Sequence, residues 1–141
     1  MVKKDLVTAK LTELAERAAR VRAKCLTSSA ALAADPDALD IVSFNLMLAV
    51  QLCADIAAHI TTDERWQPAK SLAEGFTRLE EHGVLSANTA ERLRRAVGLR
   101  NIVAHGYGRV DPALVFTAAT NGLSDLSEFA REVATWLLQQ A

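Results

Sequence analysis

An all-α, single-domain bundle of about five to six helices is the fold that the sequence predicts. Three observations point to it. Half of the 141 residues are apolar but only 5% are aromatic, and Ala and Leu dominate, a composition that suits packed helices better than sheets. Apolar positions recur three and four apart along most of the chain, the spacing that builds one helical face. No segment alternates apolar and polar residues as a half-buried strand would, and no repeat or low-complexity tract interrupts the pattern. The length suits one domain, residues 1–141, with one sizeable core.

The first helix is read from Val7, Leu11, Leu14, Ala18, Val21, Cys25, Ser28 and Leu32, whose alternating steps make a seam for a partner helix. Glu13 with Arg17 and Glu16 with Arg20 stand one turn apart on its outer face. The Ala-Asp-Pro-Asp turn from Ala34 to Asp37 ends it, and Pro36 suits the first turn of the next helix. That second helix, Asp37 to Thr61, is apolar on nearly all sides and is therefore central. Residues 61–68 form a loop anchored by Trp66. A short helix with Leu72, Phe76 and Leu79 inward follows, closed by Gly83, with His82 at its surface end. Asn88 and Glu91 have the spacing of a capping box for a fourth helix, and Gly98 within it implies close approach of another backbone. Asp111-Pro112 is a cap and first-turn proline for the last segment, which Asn121-Gly122 should bend or interrupt. Leu123, Leu126, Ala130, Val133 and Leu137 give its inner stripe.

Net charge is −1, so the whole-chain charge predicts no affinity for nucleic acid. Its distribution differs: residues 91–110 hold five Arg against one Glu, a local excess of four that suits a polyanion or a solvated basic face. Cys25 and Cys53 are far apart within apolar helical patterns and read as reduced core residues of a cytoplasmic protein. Lys3, Lys4 and Asp5 run straight into the first helix with no leader-like segment. The most apolar run, Ile41 to Ile60, carries Asn45, Gln51, Asp55 and His59, which disfavours a membrane crossing and predicts a soluble chain.

Chemistry concentrates in Leu99-Arg100-Asn101-Ile102-Val103-Ala104-His105-Gly106-Tyr107-Gly108. Helical spacing puts Asn101 and His105 on one face, Gly106 supplies a left-handed residue after the helix end, and Arg100 is long enough to swing back to the imidazole. Gln51, Asp55 and His59 step by four into a stripe on the central helix. It is either a buried hydrogen-bonded row supporting a neighbour, or a support in which Asp55 pairs with the Arg100 guanidinium; His59 alone reads as structural.

The pattern Arg-Asn-x-x-x-His-x-Tyr resembles the HEPN superfamily of ribonucleases, specifically the HepT-like toxins, with Arg100, Asn101, His105 and Tyr107 matching without a gap. The likeness extends over most of the chain from Asp40 to Asp111. It implies an RNase toxin of a type VII-like toxin–antitoxin system and a homodimer with two motifs facing a shared cleft. It also implies an MntA-type nucleotidyltransferase antitoxin that transfers AMP to Tyr107. The same motif serves a second reading, a non-catalytic helical subunit that pairs with a minimal nucleotidyltransferase and holds its nucleotide or substrate.

The residues suit metal-independent cleavage by attack of a ribose 2′-OH on its own phosphate. Histidine titrates where a proton must both leave and return, and a helix C-terminus favours the cation. Arginine offers a fixed fork of donors that matches phosphate oxygens. His105 and Arg100 are therefore the catalytic candidates, with Asn101, Arg95, Arg109 and Asp55 supporting them or contacting RNA phosphate. No cofactor is expected, and HExxH, CxxC and a clustered carboxylate set are absent from the sequence. One His per motif leaves the second proton transfer to His105 of a second chain. DNA, lacking the 2′-OH, should not be cut.

Overall fold

The computed structural model of the chain describes residues 1–106 and 110–141. Six helices form, and no strand occurs among the described residues: α1 (Lys4–Lys24), α2 (Ser29–Ala33), α3 (Pro36–Asp63), α4 (Leu72–Glu81), α5 (Ala87–His105) and α6 (Pro112–Leu138). The all-α expectation holds.

The central position of α3 follows from its sequence. Val42, Leu46, Ala49, Cys53, Ile56 and Ile60 are buried along its length, and each of the other five helices packs against it. It is long and apolar enough to cross a membrane, but most of its apolar window is buried by its neighbours. Asp35 caps it by accepting from the Ala38 amide at 3.1 Å, and Pro36 occupies its first turn. Phe76 of α4 meets Phe129 of α6 edge to face, ring centres 5.9 Å apart, and this pair closes the core beneath α3.

The first helix is shorter than its seam suggested. It stops at Lys24, and Cys25 turns extended with its amide on the Val21 carbonyl at 2.8 Å. The Ser28 hydroxyl then accepts from the Ala31 amide at 3.0 Å and starts α2. Thr27 and Ser28 can hydrogen-bond the backbone outside a helix, and this local gain outweighs the continuing apolar register. Leu32 remains fully buried, now on a separate short helix against α6.

The remaining helix ends refine the expectations. The cap of α5 is Ser86 and not Asn88: the Ser86 hydroxyl accepts from the Thr89 amide at 3.2 Å, while Glu132 of α6 accepts from the Ser86 amide at 2.6 Å. A carboxylate from another helix thus does the work expected of Glu91. Gly83 does adopt the left-handed conformation, φ +75°, that ends α4. Among the described residues Gly98 meets nothing within 4 Å of where its Cβ would stand, so the close approach expected there is not found. Asn121-Gly122 leaves α6 unbroken, since Ala119, Leu123, Leu126 and Phe129 are buried on both sides of it. The roughly 1 kcal/mol that a mid-helix glycine costs is small against that burial.

The segment between α3 and α4 is pinned by Arg78, whose guanidinium is nearly buried. Its Nε donates to the Gln67 carbonyl at 2.9 Å, and it pairs with Glu74 and with Glu81 at 3.4 Å. Trp66 stacks flat on His82 with ring centres 3.8 Å apart, so the surface histidine has an aromatic partner. Cys53 is fully buried and Cys25 half-buried; burial pushes both thiols up, Cys53 far more.

Candidate active site

The last two turns of α5 carry the motif, and α3 supports them. The Arg100 Nε donates to Gln51 Oε1 on α3 at 2.9 Å, and its Nη1 donates to Asn101 Oδ1 at 3.1 Å. Gln51 in turn donates from Nε2 to Asp55 Oδ1 at 2.9 Å. Gln51 and Asp55 of the α3 stripe are therefore half-buried and hydrogen-bonded, and Gln51 also braces the motif. Asp55 does not touch the guanidinium directly; Gln51 stands between them and relays its orientation. The i,i+4 step from Gln51 to Asp55 was the available signal, but an amide with both a donor and an acceptor was needed to join two charged groups of opposite sign. His59 lies one turn further along α3, half-buried.

His105 is the last residue of α5 and is exposed, one helical turn after exposed Asn101. Arg100 faces α3 and Asn101 and not the imidazole, which corrects the expected direct swing. Gly106 follows in a right-handed helical conformation, φ −77° and ψ −2°, so the helix end does not use the left-handed residue expected there. Tyr107 and Arg109 lie outside the described residues.

Ion pairing reduces the basic excess of α5. Arg92 pairs with Asp125 of α6 at 2.7 Å, Arg94 with Glu80 of α4 at 3.0 Å and with Glu91 at 3.1 Å, and Arg95 with Glu91 at 3.2 Å. The hydrogen bond that Arg94 donates to Glu80, joined by that to Glu91, raises the Arg94 pKa and fixes that cation as a tie between helices. Arg100 differs: its partners among the described residues are neutral amides, so its positive charge is oriented without being cancelled. Such a guanidinium is suited to an incoming anion. The Arg95 side chain, earlier on the same helix, is 76% exposed, with a pair on its own helix that solvent weakens.

Two hollows flank the motif helix. One, about 370 Å³, lies between α3, α5 and α6, with an apolar floor and Arg92, Arg95 and Asp125 at its rim. The other, about 280 Å³, is formed by Leu39, Asp40, Ser43 and Phe44 of α3 with Val103 and Val110. Phe44, Ile102 and Leu114 are large apolar side chains left exposed around this end of α5.

A family profile described as ribonuclease HepT-like matches residues 10–133, nearly the whole described bundle. The chain belongs to the ribonuclease HepT-like family. Among its relatives, the HepT-like chain is 30% identical over 90 residues to the mRNA nuclease HepT of Shewanella oneidensis, spanning 64% of this chain and 68% of that protein. It is 28% identical over 93 residues to the tRNA nuclease HepT of Aphanizomenon flos-aquae, spanning 66% of this chain and 63% of that one. The HepT-like fold superposes on a solved tri-AMPylated Shewanella oneidensis HEPN toxin in complex with MNT antitoxin. That match has a TM-score of 0.85 at 24% identity and covers 93% of this chain and 98% of the toxin. YutE of Bacillus subtilis, a cytosolic protein of unknown function, reaches a TM-score of 0.85 at 12% identity, covering 98% of this chain and 92% of that one. These likenesses establish the six-helix HEPN fold of the HepT-like chain.

Proposed function

We propose that this chain is the endoribonuclease toxin of a toxin–antitoxin pair, working in the cytoplasm without a metal ion. The observation that carries the reading is the Arg100 guanidinium, braced by Gln51 and Asn101 with no acidic partner among the described residues, on the helix whose last residue is exposed His105. The nuclease names of the HepT relatives support it. One His105 takes the proton from the ribose 2′-OH. The 2′ oxygen attacks phosphorus while Arg100 and Asn101 offer donors to the phosphoryl oxygens. The bond to the 5′ oxygen breaks, and that oxygen takes a proton from the second His105, leaving a 2′,3′-cyclic phosphate and a 5′-hydroxyl.

The two-histidine scheme needs a homodimer, and exposed Phe44 and Ile102 beside the motif are apolar surface for a second copy. The partner that restrains the toxin is an MntA-type nucleotidyltransferase, which transfers AMP to Tyr107. Structural neighbours are toxin–antitoxin complexes, one holding a tri-AMPylated toxin, which supports this part of the reading. Adenylate there adds negative charge and bulk beside Arg100 and His105 and so blocks phosphate.

The test incubates protein of verified intact mass with total RNA in EDTA, beside Arg100→Ala and His105→Ala, and maps the new ends. Cleavage by wild type alone, leaving cyclic phosphates, is expected. RNA bound without turnover by unmodified dimer refutes the catalytic reading. Cleavage surviving both substitutions refutes the site.

A further inference from the structure

The hollow between α3, α5 and α6 reaches the motif helix as far as Leu99 but has no part in the chemistry above. Its floor is apolar, made by Leu46 and Leu126, and its walls by Ala96, Leu99, Leu114 and Ala118. Leu99 lines the hollow and directly precedes Arg100, whose side chain leaves the helix about 100° around from it, on the flank of the hollow. Its volume of about 370 Å³ lies in the range of small-molecule sites and admits a planar ring system.

Two features at the rim give the hollow a chemical preference. Arg95 lines it with a largely exposed guanidinium, five residues before Arg100, or about 7.5 Å along the helix and about 140° around it. A strand that leaves Arg100 and crosses the hollow thus meets a second cation on the other flank. Asp125 lines the same rim with its Oδ1 held by Arg92 at 2.7 Å. Among the described residues no hydrogen bond engages Oδ2, and Oδ1 keeps a second lone pair. A fixed carboxylate is an acceptor pair at the mouth of an apolar slot, and it selects a group that donates twice, side by side.

We propose that this hollow is a base-reading subsite for the RNA strand, taking an unpaired nucleobase next to the cleaved phosphate, with Asp125 as the discriminating residue. The proposal rests on the ribonuclease reading above. The base slides onto the apolar floor, and its edge meets the Asp125 carboxylate. Guanine is the base favoured, because its N1–H and N2–H₂ donate side by side on the Watson–Crick edge. Arg92 holds the carboxylate in place and positions a donor beside the guanine O6. Sequence-specific recognition of single-stranded RNA commonly works through such splayed bases.

The test cleaves an RNA pool of randomised sequence with wild type, Asp125→Asn and Ala118→Phe, and sequences the new ends. Dimer mass is followed by light scattering and folding by circular dichroism. Wild type is expected to enrich guanine at one position flanking the cut. Asp125→Asn replaces a double acceptor with a donor–acceptor pair, so the enrichment should fall by about fivefold or more and shift toward adenine, which Asn matches. Ala118→Phe fills the slot and should erase the preference with dimer mass and helicity unchanged, which keeps the test decisive if Asp125→Asn misfolds. Wild-type cleavage with no base preference overturns the proposal alone, as does a preference that both variants retain. Dissociation of the dimer by Ala118→Phe also overturns it alone, because the hollow is then an interface between copies. Absence of wild-type cleavage overturns the ribonuclease reading, and this proposal with it.

Discussion

Replacing Gln51 with Met removes the one side chain that ties Arg100 to α3 while keeping the bulk of the chain at that position. Two hydrogen bonds are lost, the one from Arg100 Nε at 2.9 Å and the one to Asp55 at 2.9 Å. Bonds to charged groups are worth about 1.5–3 kcal/mol each, and Gln51 is half-buried, so the lower figure applies. Arg100 keeps its bond to Asn101 but gains rotameric freedom on the α3 side. If the orientation of the guanidinium matters only when phosphate is transferred, about 1.5 kcal/mol of transition-state stabilisation disappears, roughly a tenfold fall in kcat/KM. Single-turnover cleavage of a defined RNA measures it, with circular dichroism to check folding. Because Asp55 acts through Gln51, Asp55→Asn should cost far less in the Gln51→Met background than in wild type. A rate within twofold of wild type, or full additivity of the two substitutions, would refute the relay.

Two further outcomes concern the scaffold. Gly98→Ala in exposed helical backbone with open space should raise stability by up to about 1 kcal/mol in denaturant unfolding, whereas Gly83→Ala, forced to φ +75°, should lower it by about 1–2 kcal/mol. Shifts of the same sign would contradict the assigned backbone. In a thiol titration of native protein Cys25 should react slowly and Cys53 only after denaturant is added. The linked pH effect has a definite sign: the folded thiol holds its proton longer than the unfolded one, so Cys53 favours unfolding as pH climbs above the ordinary thiol range. Full native reactivity of both thiols would place Cys53 outside the core.

The helices were legible because their apolar stripes are strong: the α3 run and the α6 stripe could bury themselves in no other way. Helix ends were less legible. The break at Cys25 to Ser28 hides in a seam whose register continues through it to Leu32, so only the hydroxyls give it away. The cap of α5 depends on Glu132, distant in sequence, which no local motif names. In the site, the motif showed which residues share the helix end, but the direction Arg100 takes is decided by a partner on α3. The charge of α5 was similarly legible as a count and misleading as a field, since Asp125 and Glu80 reach it from two other helices.

The sandwich of Trp66 on His82, with Trp136 meeting Trp66 edge-on at 6.1 Å, gathers both of the chain's indoles into one spot. Ultraviolet emission from this protein is thus a local signal from the place where the segment after α3 docks beside the end of α4 and the end of α6. Removing the stack with His82→Ala should therefore change the emission of this protein even when the fold is intact. It carries no indole at the Arg100 end, so RNA arrival must be watched with a dye on the RNA.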